Sequence, residues 1–258
     1  MDLLRESIEE NQRTVNLSVW KVLLLVFVPT SILTISYLIV GHILGETIPT
    51  LLIFFILALS ILFPIQLYVV FSASKKEFGR YSLKSAFSNY QKLSWWKIIT
   101  YAALLWAFAG VMSATIAPLE EMFFAPITER FSNILPTYFN WTNFDYLENY
   151  SRNILLLTCG VYFILNGFIG PIVEELFFRG YLTQKFSRFG NYAPFIITVL
   201  FSFYHFWLPF NNLFRIIAFY PAYYIAWKKK NIYIAIVFHC LCNLISAFGF
   251  ILAVYAIL

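Results

Sequence analysis

The 258-residue sequence contains few charged side chains. Asp, Glu, Lys and Arg make up only 12% of it, roughly half the share of an ordinary soluble domain, while hydrophobic residues make up 60%. This composition excludes a typical soluble domain. The long unbroken apolar runs also exclude an outer-membrane barrel, which consists of short alternating segments. Because a helix satisfies its own backbone hydrogen bonds in lipid, we expect an all-α fold, a polytopic transmembrane helical bundle.

Cysteine and internal repetition are also scarce. The three cysteines, Cys159, Cys240 and Cys242, lie inside apolar runs and form no C-x-x-C pair, which excludes a disulfide framework and a thiolate metal cluster. We expect them to be buried free thiols. There is neither a repeat period nor a matched pair of broken spans of the kind that inverted-repeat transporters contain. The sequence therefore predicts one membrane-embedded domain, residues 19–258, after a polar cytoplasmic segment, residues 1–18.

Seven apolar runs are candidates for membrane spans, since a helix needs about 20 apolar residues to cross a bilayer. The fifth and sixth runs are short and are interrupted by Pro209 and Pro221. We interpret residues 119–152 as a long connection with room for a helix in the membrane interface, so the predicted number of spans is seven or eight. The candidate spans are 19–41, 50–73, 97–118, 153–173, 193–209, 213–227 and 232–257.

Basic residues are concentrated in alternate connections. Lys and Arg are frequent in segment 74–97, after the fourth span and after the sixth, whereas connection 42–49 has neither and 119–152 is mainly acidic. Because cytoplasmic connections are enriched in Lys and Arg, this pattern predicts a multi-pass protein of the cell membrane with a cytoplasmic N-terminus. The net charge of +5 follows from this distribution and indicates a lipid bilayer, not a nucleic acid, as the partner.

The segment GPIVEELFFRGYLTQKF, residues 170–186, places ionisable side chains among apolar ones. An ionisable group at the centre of a bilayer costs roughly 2.5–3.5 kcal/mol, so those that occur there are usually paired or functional. Glu175 and Arg179 are four residues apart on one helix face, so we expect them to pair and to support the structure. Glu174 is rotated by about 100° from Glu175, and the pair leaves it without a partner. A second Glu-Glu pair, at 120–121, lacks an Arg at this spacing.

Two further apolar runs contain polar side chains. In FSFYHF, His205 follows Phe201 by four residues, and in FHCLCN, His239 and Asn243 are four residues apart and share a helix face. Each has an ordinary interpretation, because a His in an apolar run is most often a hydrogen-bonded core residue and an Asn often joins two membrane helices. Together with Glu174, these residues on three predicted helices indicate a shared internal site.

If these side chains converge, they provide the groups that peptide hydrolysis by water requires. Glu174 would accept a proton from water, and His205 would position that water or share its proton. His239 and Asn243 would donate hydrogen bonds to the oxyanion. A zinc ion held by Glu174, His205 and His239 is the alternative. We favour the metal-free interpretation and expect no cofactor, because the sequence has no H-E-x-x-H motif and Asn is a poor zinc ligand.

Three motifs occur in order and with matching spacing: E-E-x-x-x-R at 174–179, F-x-x-x-H at 201–205 and H-x-x-x-N at 239–243. Over residues 170–245 they resemble the membrane-embedded CAAX prenyl protease and bacteriocin-processing family, in its bacterial form. The resemblance implies a glutamate-dependent intramembrane endopeptidase, often labelled a metalloprotease, whose cavity opens to the cytosol. It also implies the residue roles given above, with Glu174 as the base.

The expected function is therefore cleavage of a peptide or membrane-protein substrate near the cytoplasmic membrane face by water that Glu174 activates. Two alternatives stand beside it. One is a non-proteolytic scaffold or bacteriocin immunity protein of the same family. The other is a proton-coupled transporter with Glu174 as a relay, against which the missing internal repeat argues.

Overall fold

Seven long helices make up the fold in the computed structural model of the protein, which describes residues 16–139 and 144–258. No strand occurs in these two ranges, so the all-α prediction is confirmed. Of the polar segment 1–18, residues 1–15 lie outside the described residues. In chain order, the helices are α1 Val19–Leu44, α2 Thr50–Phe78, α3 Trp95–Ser132, α4 Arg152–Lys185, α5 Ala193–Phe203, α6 Asn212–Lys228 and α7 Ile232–Ile257.

Five of these helices, α1, α2, α3, α4 and α7, are long and apolar enough to cross a membrane. The other two are shorter, with 11 residues in α5 and 17 in α6. The predicted fifth span, 193–209, is too long, because its helix ends at Phe203 and residues 204–211 form a loop. Pro209 therefore lies in this loop, whereas Pro221 lies inside α6.

The interpretation of residues 119–152 as a connection is wrong for its first part. Helix α3 continues through Pro118 and Pro126 to Ser132 and is 38 residues long. Proline is tolerated inside membrane helices because neighbouring groups satisfy the backbone carbonyls that it leaves without a donor. The connection to α4 is correspondingly shorter, 133–151.

Helix α4 carries the acidic pair and is not uniformly α-helical. Leu165–Ile169 and Leu176–Leu182 are π-helical, and Gly170–Glu175 between them is α-helical. The i→i+5 hydrogen bonds of a π segment change the order in which side chains face a neighbour, and such segments are frequent at functional sites. Glu174 and Glu175 lie immediately before the second π segment, all of which is buried.

The three cysteines are free thiols, as predicted. Cys159 is buried in α4, whereas Cys240 and Cys242 are half-buried in α7. They take no part in the polar contacts of the candidate site described below.

Gly180 marks a close approach between α4 and its neighbours. A Cβ at this position would lie 2.7 Å from the Cβ of Ala86, and 3.0 Å from both the carbonyl oxygen of Ala86 and Cδ1 of Ile232. The missing side chain lets the turn Lys84–Phe87 and the start of α7 pack directly against the second π segment.

We expect Gly180→Ala to lower the free energy of unfolding by about 1–3 kcal/mol, because overpacking forces the surrounding main chain to shift. The matched control is Gly160→Ala in the same helix, where a Cβ would meet no atom within 4 Å. Thermal unfolding of both variants in detergent measures the difference. A midpoint for G180A equal to that of the wild type would contradict the close packing.

Candidate active site

The residues predicted to form the site surround one cavity. Glu174 of α4, His205 of the loop after α5, and His239 of α7 all line it, and Asn243 does so too. The cavity has a volume of about 1240 Å³ and largely apolar, aromatic walls. The three chain segments that the sequence suggested would converge are thus brought together in the structure.

Glu174 has neighbours that the sequence pattern did not indicate. The hydroxyl of Tyr204 donates a hydrogen bond to Oε1 of Glu174, and Oε2 lies 3.7 Å from Nε2 of His239. The residue is only 7% exposed. As predicted, Glu174 takes no part in the Glu175–Arg179 pair. The expectation that its carboxylate has no partner is wrong, because Tyr204 in the loop after α5 and His239 in α7 both contact it.

Glu175 pairs with Arg179, as the spacing predicts, and also with His239. Its Oε1 lies 3.4 Å from Nη1 of Arg179 and 2.9 Å from Nδ1 of His239, and the side chain is fully buried. Because an ionised carboxylate only accepts hydrogen bonds, Nδ1 of His239 carries the proton. Neutral His239 therefore presents an unprotonated Nε2 to Glu174, and donation from Nε2 requires the imidazolium form.

The guanidinium group of Arg179 is held by aromatic rings as well as by charge. Its Cζ lies 3.2 Å from the centre of the Tyr223 ring and 4.0 Å from that of Phe201. Within the described part of the chain its nitrogen atoms have no hydrogen-bond partner beyond the 3.4 Å ion contact with Glu175. A desolvated cation–π contact contributes about 2 kcal/mol, so the rings hold Arg179 where charge alone would not.

His205 does not lie in a helix, contrary to the predicted fifth span. It follows the end of α5 by two residues, and its Nδ1 lies 2.8 Å from the carbonyl oxygen of Phe201. A carbonyl only accepts, so Nδ1 donates this bond and provides one of the last carbonyls of α5 with a partner. Nε2 of neutral His205 is then an acceptor. The F-x-x-x-H spacing thus marks a helix end and not a shared helix face.

Two charged residues fix the loop that carries His205. Arg215 of α6 donates from Nη1 to the carbonyl oxygen of Ser202 at 2.9 Å, and its Nη2 lies 3.3 Å from that of Phe210. Glu120 of α3 accepts hydrogen bonds from two backbone amides in the first turn of α6, at 2.9 and 2.6 Å. The sequence pattern gave neither residue a role in the site. The partners of Glu120 are more than 90 positions away in the chain, and those of Arg215 are backbone carbonyls of a loop that was predicted as helix.

Asn243 joins α7 to α4. Its Nδ2 donates to the carbonyl oxygen of Asn166 at 3.1 Å, and Nδ2 of Asn166 donates to the carbonyl oxygen of Asn243, also at 3.1 Å. This is the helix-joining arrangement that is the ordinary interpretation of an Asn in a membrane helix. Asn166 lies in the first π segment and had no distinguishing pattern in the sequence. To donate to an oxyanion, the Asn243 amide would have to leave Asn166.

The alternative of a zinc ion held by Glu174, His205 and His239 stays a prediction. Glu174 and His239 are neighbours, but across residues 16–139 and 144–258 no group of three His, Cys, Asp or Glu side chains is placed to hold a metal ion. A catalytic zinc takes three protein ligands and one water.

The fold and the cavity define an integral membrane protein with a buried site of carboxylate and imidazole groups. Residues 156–245 match the family described as Type II CAAX prenyl endopeptidase Rce1-like. The match covers 90 of the 258 residues and includes all four predicted catalytic positions, so the resemblance seen in the three motifs is confirmed over this segment. At the family level, the segment is similar to CAAX-type intramembrane proteases. Comparison with the curated proteins and with the solved structures gave no match.

We expect Arg179→Met to lower the free energy of unfolding by roughly 3–5 kcal/mol, because Glu175 would stay buried and lose its cationic partner. The control is Arg188→Met, since Arg188 is exposed and its loss is expected to change stability little. The yield of folded protein and thermal unfolding in detergent measure both variants. A wild-type midpoint for R179M would show that the pair does not stabilise this site.

Proposed function

We propose that the protein is an intramembrane endopeptidase of the cell membrane, with a cytoplasmic N-terminus, in which Glu174 activates water. The observation that carries the proposal is the placement of Glu174 in the cavity. Tyr204 binds one of its carboxylate oxygens, and His239 lies 3.7 Å from the other. The family match over 156–245 supports peptide hydrolysis as the reaction class. The distribution of lysines supports the orientation.

In the proposed reaction, the attacking water lies on the cavity side of Oε2 of Glu174 and Nε2 of His239, within hydrogen-bond reach of both atoms. Their separation of 3.7 Å is too long for a direct hydrogen bond and leaves both groups available to a third molecule. Glu174 takes one proton from the water while the water oxygen bonds to the carbonyl carbon of the scissile peptide. When the C–N bond breaks, Glu174 returns this proton to the leaving amine, and the carboxylate is regenerated.

The remaining polar groups have assisting roles in this proposal. Nδ1 of His205 is held by a backbone carbonyl, which leaves Nε2 as the acceptor that would take the second hydrogen of the water. His239 would donate to the developing oxyanion as an imidazolium that is protonated before the water attacks, because Glu174 takes the only proton released in the step. Asn243 would donate once its amide has left Asn166. The buried Glu175 carboxylate, 2.9 Å from Nδ1, would stabilise that imidazolium, as the aspartate of a serine-protease triad does for its histidine.

We expect Glu174→Gln to lower peptide cleavage by at least about 100-fold with folding unchanged, since a general base contributes 10²–10⁴-fold to rate. The control is Glu129→Gln, which changes an exposed carboxylate near the end of α3. Purified protein in detergent is assayed against a library of apolar peptides, with and without a metal chelator.

The outcomes of this assay separate the alternatives. Full activity in E174Q would reject Glu174 as the base. Loss of wild-type activity in the chelator would favour the zinc alternative over the metal-free mechanism. A wild-type protein that cleaves no peptide would favour the scaffold or immunity protein.

Tyr204 is expected to act as a positioning residue for Glu174. We expect Tyr204→Phe to lower kcat by about 10-fold or more with little change in KM, because a hydrogen bond to a charged group contributes about 1.5–3 kcal/mol. The matched control is Tyr223→Phe, since the buried hydroxyl of Tyr223 has no hydrogen-bond partner among the residues described. Steady-state kinetics separate the two parameters. An unchanged kcat in Y204F would show that its hydroxyl does not orient the carboxylate.

A further inference from the structure

The residues that line the cavity lie in one half of the bundle, away from the helix ends that carry most of the lysines. Helices α2, α4 and α6 end at the same side of the bundle: Lys185 pairs with Glu77, and Lys228 and Lys230 line a cavity with Gln184. We use the term lysine face for this end, which carries Lys75, Lys76, Lys185 and Lys228–Lys230. Helix α2 runs towards this face and lines the cavity only with residues 50–63 of its first half. Helix α3 runs away from it and lines the cavity only with residues 120–131 of its last part.

The other helices show the same polarity. Helix α6, which ends at Lys228, contributes residues 212–219 from its first half. Helix α7 begins at the lysine face, and His239 is its first residue that lines the cavity. Glu174 lies 11 residues before Lys185 and is the nearest α4 residue to the lysine face that lines the cavity.

Packed side chains separate the cavity from the lysine face. Directly beyond Glu174, Phe177, Phe178 and Tyr223 are each at most 1% exposed, and the guanidinium of Arg179 stacks on Tyr223. A second cavity, of about 560 Å³, lies on the lysine side of this layer and shares no lining residue with the first. The stacked layer is therefore a partition, and the candidate catalytic groups all lie on the far side of it.

The charged groups of the cavity select against acidic occupants. Its charged lining residues, within the described part of the chain, are Glu120, Glu121, Glu174 and Arg215, with no lysine. Three carboxylates thus face one guanidinium, which leaves the acidic groups in excess. Most of the wall is apolar and aromatic, and the volume of about 1240 Å³ exceeds that of an ordinary small-molecule pocket.

From this placement we infer that substrate reaches Glu174 from the face opposite the lysines, and that the substrate is an apolar peptide segment that is neutral or basic. That the occupant of the cavity is a substrate rests on the proposed function, whereas the accessible face does not. Cytoplasmic connections are enriched in lysine, so the accessible face is the extracytoplasmic one. The cavity thus departs from the cytosolic opening that the family resemblance implied.

Cysteine labelling tests the accessible face without requiring catalysis. Cys159, Cys240 and Cys242 are first replaced by Ala, and single cysteines are then introduced as Thr128→Cys in the cavity wall, Asn149→Cys in the connection 133–151, and Ser187→Cys beside the lysine face. Intact cells are treated with a membrane-impermeant maleimide before and after permeabilisation.

We expect T128C and N149C to react in intact cells and S187C only after permeabilisation. Reaction of S187C but not N149C in intact cells would reverse the orientation and overturn the inference. Reaction of T128C only after permeabilisation, with N149C reactive before it, would show that water enters the cavity through the partition, and would overturn it too. Thermal unfolding of the cysteine-free parent and of each single-cysteine variant confirms that they are folded.

Peptide cleavage tests the substrate class. Purified wild-type protein is given one apolar fluorogenic peptide and two twins in which the same two residues are Lys or Asp. We expect the Lys twin to be cleaved at a kcat/KM within about 3-fold of the parent and the Asp twin at least about 10-fold more slowly, which corresponds to about 1.4 kcal/mol.

Equal cleavage of the Asp twin would overturn the inferred preference while leaving the proposed function intact. If none of the three peptides is cleaved, the proposed function and the substrate class fall together. The labelling result would still decide which face of the membrane reaches Glu174.

Discussion

The arrangement of the site depends on one fully buried carboxylate, that of Glu175. A charge at 0% exposure is tolerated only when it is paired, and Glu175 is paired twice, with Arg179 on its own helix and with His239 on α7. Through Arg179, the first contact links the carboxylate to the rings of Phe201 and Tyr223. The second fixes the ring of His239, so that its other nitrogen faces Glu174. A residue that the sequence suggested as a mere support therefore sets the geometry of the groups beside it.

The local pattern was sufficient for the helices and for the Glu175–Arg179 pair, because both depend on spacing within one segment. It was insufficient wherever a contact comes from a distant part of the chain. Tyr204 directly precedes His205, and in the sequence it is one of several aromatic residues in an apolar run. In the structure its hydroxyl donates a hydrogen bond to Glu174. Asn166 reads as an isolated polar residue until α7 is packed against α4. Family-level resemblance came from three short motifs, and the match over 156–245 contains all of them.

The end of α5 shows why helix boundaries were harder to predict than helices. Hydrophobicity continues past Phe203, so the apolar run predicts a longer span than the backbone forms. The chain turns because its polar groups find other partners: the carbonyl of Phe201 is bonded by His205, and that of Tyr204 accepts a hydrogen bond from Thr30 of α1. Arg215 then holds the following loop by its carbonyl oxygens. Long-range hydrogen bonds therefore hold the loop, and no sequence periodicity reveals them.

The first π segment of α4 separates two functions that share one helix. A π turn contains about one residue more than an α turn, so the loss of one residue from Leu165–Ile169 would restore the α-helical repeat and leave the two flanking halves of the helix facing their present neighbours. Only the side chains inside the segment would change direction. Asn166 would turn away from Asn243, whereas Glu174, on the other side of the segment, would keep its neighbours. Single-residue insertions and deletions in this segment therefore offer a route by which relatives could diverge in the shape of the cavity wall without altering the acidic pair.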